Sequence, residues 1–143
     1  TAETVKRFNV NPRVAMLSYS NFGSAGGAGV DKVKKAVSIL HKDYPGMVVD
    51  GELQANFALN NRLLSEQFPF SELVDKSVNT LIFPNLSSGN IAYKLMQEMG
   101  KAEAIGPVLL GMRKSVHILQ MGSSVREIVN MVTIAAIDAQ YKK

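Results

Sequence analysis

The sequence predicts an α/β fold: a parallel sheet covered by helices on both faces, a three-layer sandwich. Three observations carry that expectation. Short apolar runs at Val14–Leu17, Met47–Val49, Thr80–Phe83 and Val116–Leu119 alternate with helical segments of about a dozen residues. The runs are apolar throughout rather than alternating, as strands buried on both faces require. Three junctions leading into helices, Ser20–Gly29, Pro84–Asn90 and Gln120–Ser124, are rich in small residues. In an open parallel sheet such junctions gather at the carboxyl ends of the strands, where ligands bind.

Taken in order, residues 2–9 read as a short helix with Val5 and Phe8 on one face, ended by Asn11-Pro12. The first strand, Val14–Leu17, continues through Ser18-Tyr19. Helical periodicity then resumes at Val30, through Val33, Val37 and Leu40 to Lys42, and Tyr44-Pro45-Gly46 stops it. The second strand, Met47–Val49, is expected to end at Asp50-Gly51. Leu53 to Leu64 reads as one helix of imperfect phase, and Phe68 to Lys76 as irregular with a helical turn. After the strand at Thr80–Phe83, Leu86–Asn90 reads as a loop. The helix that follows carries Ile91, Leu95, Met96 and Met99, with Gly100 as its C′ residue. Ala104–Leu110, which holds a Gly106-Pro107 turn with a strand after it, and Val116–Leu119 are the further expected strands. The last helix starts at Ser123 or Ser124, where Ser124 and Glu127 have capping-box spacing. Its expected apolar face is Val125, Ile128, Val129, Val132, Ala136 and Ile137.

Composition bounds the function. At 143 residues, with 46% apolar and 20% charged residues, the chain is of ordinary globular composition and sized for one domain. No apolar run reaches the ~18–20 residues that span a membrane, and no signal peptide is expected, so the expectation is a cytoplasmic protein without membrane contact. The absence of cysteine excludes disulfides and thiol catalysis within these residues. The net charge of +4 concentrates in Lys32, Lys34, Lys35 and Lys42, which read as a solvated helix face. Without tryptophan or a stacking platform, no nucleic-acid partner is expected.

Nucleotide motifs fail. Gly27-Ala28-Gly29-Val30-Asp31-Lys32 has a lysine where GxGxxG needs its third glycine, and neither a P-loop nor a GxSxG elbow exists. His41 and His117 lack metal-like neighbours, and no metal site is expected. His41 reads as helix surface and His117 as a sheet residue. Asp50 and Glu52 flank a glycine turn, and turn formation outweighs catalysis or metal binding for them. Ser123 and Ser124 suit capping and anion donation better than nucleophilic attack.

Longer stretches carry a resemblance. DGELQ at Asp50–Gln54, FPNLSSGNIAYKLMQEMG at Phe83–Gly100, KAEAIGPVLLGMRKSVHILQMGSSVREIVNMVTIAAIDAQ at Lys101–Gln140 and SYSNFGSA at Ser18–Ala25 resemble the phosphate acetyl/butyryltransferase family, in the same order. HILQMGSSVREIVNM is most similar to the C-terminal module of bacterial NADP-dependent malic enzymes. The resemblance implies that residues 1–143 are the C-terminal part of a phosphotransacetylase-like (isocitrate/isopropylmalate dehydrogenase-like) module in a longer chain. It also implies that active transferases carry a Ser-Arg pair and a helix-opening Asp at the positions held here by Gln120, Met121 and Glu127.

Met121 supplies neither the charge nor the planar fork of an arginine. Its loss at an acyl-phosphate centre costs on the order of 10²–10³-fold in rate. Glu127 is one methylene longer than Asp, and Arg126 leaves the helix about 100° away. The expected state is therefore catalytically silent, with Ser20, Gly23, Ser24, Gly89, Asn90, Gly122, Ser123, Ser124 and Arg126 as candidate ligand contacts. The malic-enzyme resemblance implies acetyl-CoA, a related acyl-CoA or an acyl phosphate as effector, and self-association as a dimer or higher. No cofactor is expected within these residues; NADP and a divalent metal are expected only in an N-terminal part outside them. An active phosphate acyltransferase and a ligand-free dimerisation module are the competing readings.

Overall fold

Three parallel strands, β1 (Arg13–Leu17), β2 (Val48–Leu53) and β3 (Thr80–Ile82), form a sheet in the order β2-β1-β3. The computed structural model describes residues 1–141. Helices α1 (Ala2–Arg7), α2 (Ala28–Asp43), α3 (Ala55–Leu59), α4 (Asn61–Gln67), α5 (Leu86–Glu98) and α6 (Val125–Tyr141) complete it. Residues Thr1–Tyr93 form one compact unit and the chain from Lys94 onward a second.

The first unit shows why its strands are apolar throughout. Val14 and Met16 of β1 point to one face, where Val33 and Val37 of α2 and Val49 meet them. Ala15 and Leu17 point to the other, where Leu53, Ala58, Leu64 and Leu73 close a second core. Chain order demands two cores. The right-handed crossover from β1 through α2 to β2 and the return past β1 to β3 run in opposite directions, so their helices cover opposite faces.

Several boundaries depart from the sequence expectation. β1 ends at Leu17, and the Ser18 N–H instead bonds Leu53 O at 3.0 Å. β2 runs through Asp50 and Gly51 to Leu53. It does so because Gly51 adopts φ +144°, with the point where a Cβ would sit 2.5 Å from Met16 O, and the ladder shifts between Met16 and Leu17. The imperfect phase of Leu53–Leu64 reflects two helices: Asn60 ends α3 and caps α4, its Oδ1 accepting from Leu63 N at 3.0 Å. α2 begins at Ala28, two residues before the periodic pattern, because Gly27 at φ +135° serves as its N-cap.

In the second unit neither Ala104–Leu110 nor Val116–Leu119 is a strand. A strand needs a ladder partner, and an apolar run alone does not provide one. His117 is accordingly not a sheet residue; its Nε2 lies 3.4 Å from Ser115 Oγ and its Nδ1 is buried without a partner. At the end of α5 the left-handed residue is Lys101 (φ +49°), not Gly100. The expected apolar face of α6 is also displaced. Met131 and Ile134 are its buried residues, whereas Val125, Val129, Val132 and Ala136 are exposed. The helix is apolar on more than one side, so periodicity alone did not select the covered one.

Candidate functional site

The loop after β1 and the start of α5 after β3 share the carboxyl rim of the first unit. At Ser20–Ala25 the chain wraps around a carboxylate of its own. Glu52, 1% exposed, accepts from Ser20 Oγ at 2.8 Å and from Gly23 N at 2.8 Å through the same oxygen, Oε1. The Phe22 N–H bonds Glu52 O, Ala25 N donates to Ser20 Oγ, and Asn21 N donates to Ser24 Oγ. The Glu52 carboxylate is thus held by one hydroxyl and one backbone N–H of the loop. Ser20 Oγ and the Gly23 N–H are therefore engaged within the loop, while the exposed Ser24 accepts from Asn21 N.

Two further anchors escaped the sequence reading. Buried Asn21 accepts from Gln54 N at 2.8 Å, and Phe22 packs against Phe68 and Phe70 with ring centroids 5.1 and 5.0 Å away. The signal available was Gly51 between two acids. Asp50, the other acid, accepts from Ser71 Oγ at 2.7 Å and Glu72 N at 2.9 Å, which fixes the turn after α4. Both carboxylates thus serve the fold.

Beyond this network the rim is basic. Lys32 and Lys34 are exposed on α2, as the solvated-face reading expects. They also have positions the sequence did not reveal: Lys32 Nζ donates to Pro84 O, and Lys34 Nζ lies 3.5 Å from where a Cβ on Gly23 would be. Gly89 and Asn90 do not open α5, which starts at Leu86. Asn85 begins it, its Oδ1 accepting from Ser88 N at 2.9 Å and its backbone O from Gly89 N at 3.3 Å. The Gly89 N–H is a helix rung.

In the second unit, the loop Gln120–Ser124 precedes α6 without a strand before it. Ser123 N bonds Gln120 O at 3.0 Å, and Ser124 caps the helix. The capping box is complete: Glu127 Oε2 accepts from Ser124 N at 2.6 Å and from Ser124 Oγ at 2.9 Å, while Glu127 N donates to Ser124 Oγ at 3.2 Å. Arg126 pairs with Glu103 at 2.6 Å, and Met121 is fully exposed. Of the expected contacts here, the Ser123 and Ser124 N–H groups and the Arg126 Nε are engaged by the chain itself. Gly122 is exposed in the turn.

The Ser124 N–H, with its hydroxyl next, holds the Glu127 carboxyl below its ordinary value of 4.5. A lowered native value means the cap stabilises α6 above the ordinary carboxylate range and loses that contribution as pH falls through the lowered value. Proton-exchange protection of the Ser124 amide is therefore expected to decline with a midpoint below 4.5, and Ser124→Ala to move the Glu127 midpoint back toward it. A midpoint at or above the ordinary value in the unsubstituted chain would contradict this cap.

A parallel α/β unit with its small-residue loop and basic groups on the carboxyl rim is an architecture of small-molecule binding proteins. Comparison makes the assignment specific. Residues 1–136 match the family model described as phosphate acetyl/butaryl transferase, and the chain belongs to that family. It is 46% identical over 141 residues to a phosphate acetyltransferase of Clostridium acetobutylicum, covering 98% of this chain and 42% of that protein. It is 42% identical over 139 residues to an NADP-dependent malic enzyme of Haemophilus influenzae, covering 97% of this chain and 18% of that one. A crystal structure of a phosphotransacetylase from Streptococcus pyogenes superposes with a TM-score of 0.91 at 41% identity, over 99% of this chain and 43% of that one. The chain thus resembles both kinds of relative and spans less than half the length of each.

Proposed function

We propose that this chain is a non-transferring, acyl-CoA-sensing and assembly part of an NADP-dependent malic enzyme. One observation carries the reading. Met121 and Gln120, neither of them a cation, stand at the tip of the loop before α6, and the nearby Arg126 is held through its Nε by Glu103. Acyl transfer from an acyl phosphate develops negative charge that a fixed cation must meet. Glu127, held as a capping carboxylate, is poorly placed as a base toward a thiol. An effector such as acetyl-CoA or an acyl phosphate would instead meet the ammonium groups of Lys32 and Lys34.

Exposed apolar side chains, among them Leu86, Met99 and Val125, support self-association. NADP and a divalent metal belong, on this reading, to residues outside this chain. Asp50 and Glu52 are already engaged by Ser71 and Ser20, and no glycine fingerprint serves a dinucleotide.

Calorimetric titration of acetyl-CoA into the native polypeptide that carries these residues tests the sensing role. Saturable heat is expected, weakened about tenfold or more by Lys32→Glu together with Lys34→Glu. Absence of heat, with assembly intact, would leave a purely structural role instead. A second reading, an active phosphate acyltransferase, is favoured by the 46% identity to a phosphate acetyltransferase.

A further inference from the structure

The opposite end of the first unit holds a cleft that the functions above do not use. It has a volume of about 630 Å³ and lies between α1, the start of β1 and the turn from α2 into β2. Its size falls in the range of small-molecule sites, roughly 300–1,000 Å³. Pro12, Met47 and Val48 give it apolar walls, and the exposed Tyr44 adds an aromatic face. The lining contains two cations, Lys6 and Arg13, and no acid.

Neither cation is neutralised, since among the described residues neither forms an ion pair. Arg13 is also fixed in place. Its Nε donates to Ser77 O and its backbone N–H to Asn79 Oδ1, so its charge is held by a neutral carbonyl rather than cancelled by a carboxylate. A guanidinium anchored through Nε keeps its terminal nitrogens for a second acceptor.

We propose that this cleft binds a small organic anion with an aromatic or apolar body, its phosphate or carboxylate between Lys6 and Arg13 and its body against Tyr44, Pro12 and Met47. The five residues of β1 separate the cleft from the carboxyl rim by about 16 Å. A ligand here would not compete with one at Lys32 and Lys34, so the site is suited to an effector distinct from an acyl-CoA.

Methionine-methyl NMR tests this, because Met47 lines the cleft and the other six of the seven methionines do not. Phenyl phosphate is titrated as the anionic probe, benzoate as the carboxylate counterpart, and phenol as the neutral control. The Met47 methyl, assigned with Met47→Leu, is expected to shift saturably with phenyl phosphate or benzoate and not with phenol. Lys6→Glu is expected to raise the apparent Kd about tenfold or more, with the other methyl signals unchanged to show an intact fold. A preference for phenyl phosphate or for benzoate identifies the head group. No saturable shift at Met47, an equal response to phenol, or insensitivity to Lys6→Glu would each overturn the proposal.

Discussion

Gly51→Ala is expected to destabilise the chain by at least about 3 kcal/mol, lowering its thermal midpoint by roughly 10 °C in a calorimetric scan. Gly51 sits at φ +144° in the middle of β2, where a side chain is strained whatever the space. Space is also lacking: an added Cβ would lie 2.5 Å from Met16 O and 3.0 Å from Met16 Cβ. Met16 belongs to the central strand, packed on both sides, and cannot retreat without disturbing both cores. Gly29→Ala is the control, since a Cβ there meets nothing within 4 Å on a helix. It should be neutral or slightly stabilising. Equal loss in both variants would remove the special role of Gly51.

Glu52→Ala is the second large effect, expected near 3 kcal/mol by chemical denaturation. Its removal takes the acceptor from the Gly23 N–H and leaves the Ser20 hydroxyl the longer contact to Ala25 O at 3.3 Å. Ser20 is fully buried, so water does not readily replace the carboxylate. Glu52→Gln retains an oxygen acceptor and is expected to lose only about 1 kcal/mol. Amide exchange at Gly23 separates the two: fast in the alanine variant, slow in the glutamine variant. Protection retained in Glu52→Ala would show that the Phe22 cluster, not the carboxylate, orders the loop.

The sheet of the first unit was legible because its strands are short, apolar and separated by helices with a clear three-and-four-residue period, as at Val30, Val33 and Val37. Its helix boundaries were less so. Gly27, Asn60 and Asn85 cap helices through local geometry that hydrophobic periodicity does not register. Val116–Leu119 misled for the opposite reason: an apolar run announces burial but not the partner that would make it a strand. The loops at Ser20 and at Gln120–Ser124 were legible, whereas Leu86–Asn90, expected as a loop, opens α5. Small residues marked Ser20–Gly29 as a place where ligands bind, yet the group its first residues hold, Glu52, lies 32 residues away from Ser20 in sequence. The capping box at Ser124 and Glu127 was readable because its two members are three residues apart.

On the proposed reading, the loop before α6 is what withholds transfer, with Met121 exposed and Arg126 Nε on Glu103. The direct measurement is exchange between acetyl phosphate and coenzyme A, followed by thioester absorbance on the native polypeptide that carries these residues. An active phosphotransacetylase assayed in parallel validates the conditions. The account predicts a rate indistinguishable from the enzyme-free background, while acetyl-CoA still binds. Robust turnover, abolished by substitutions in this loop, would contradict it and establish an acyltransferase that works without the arginine.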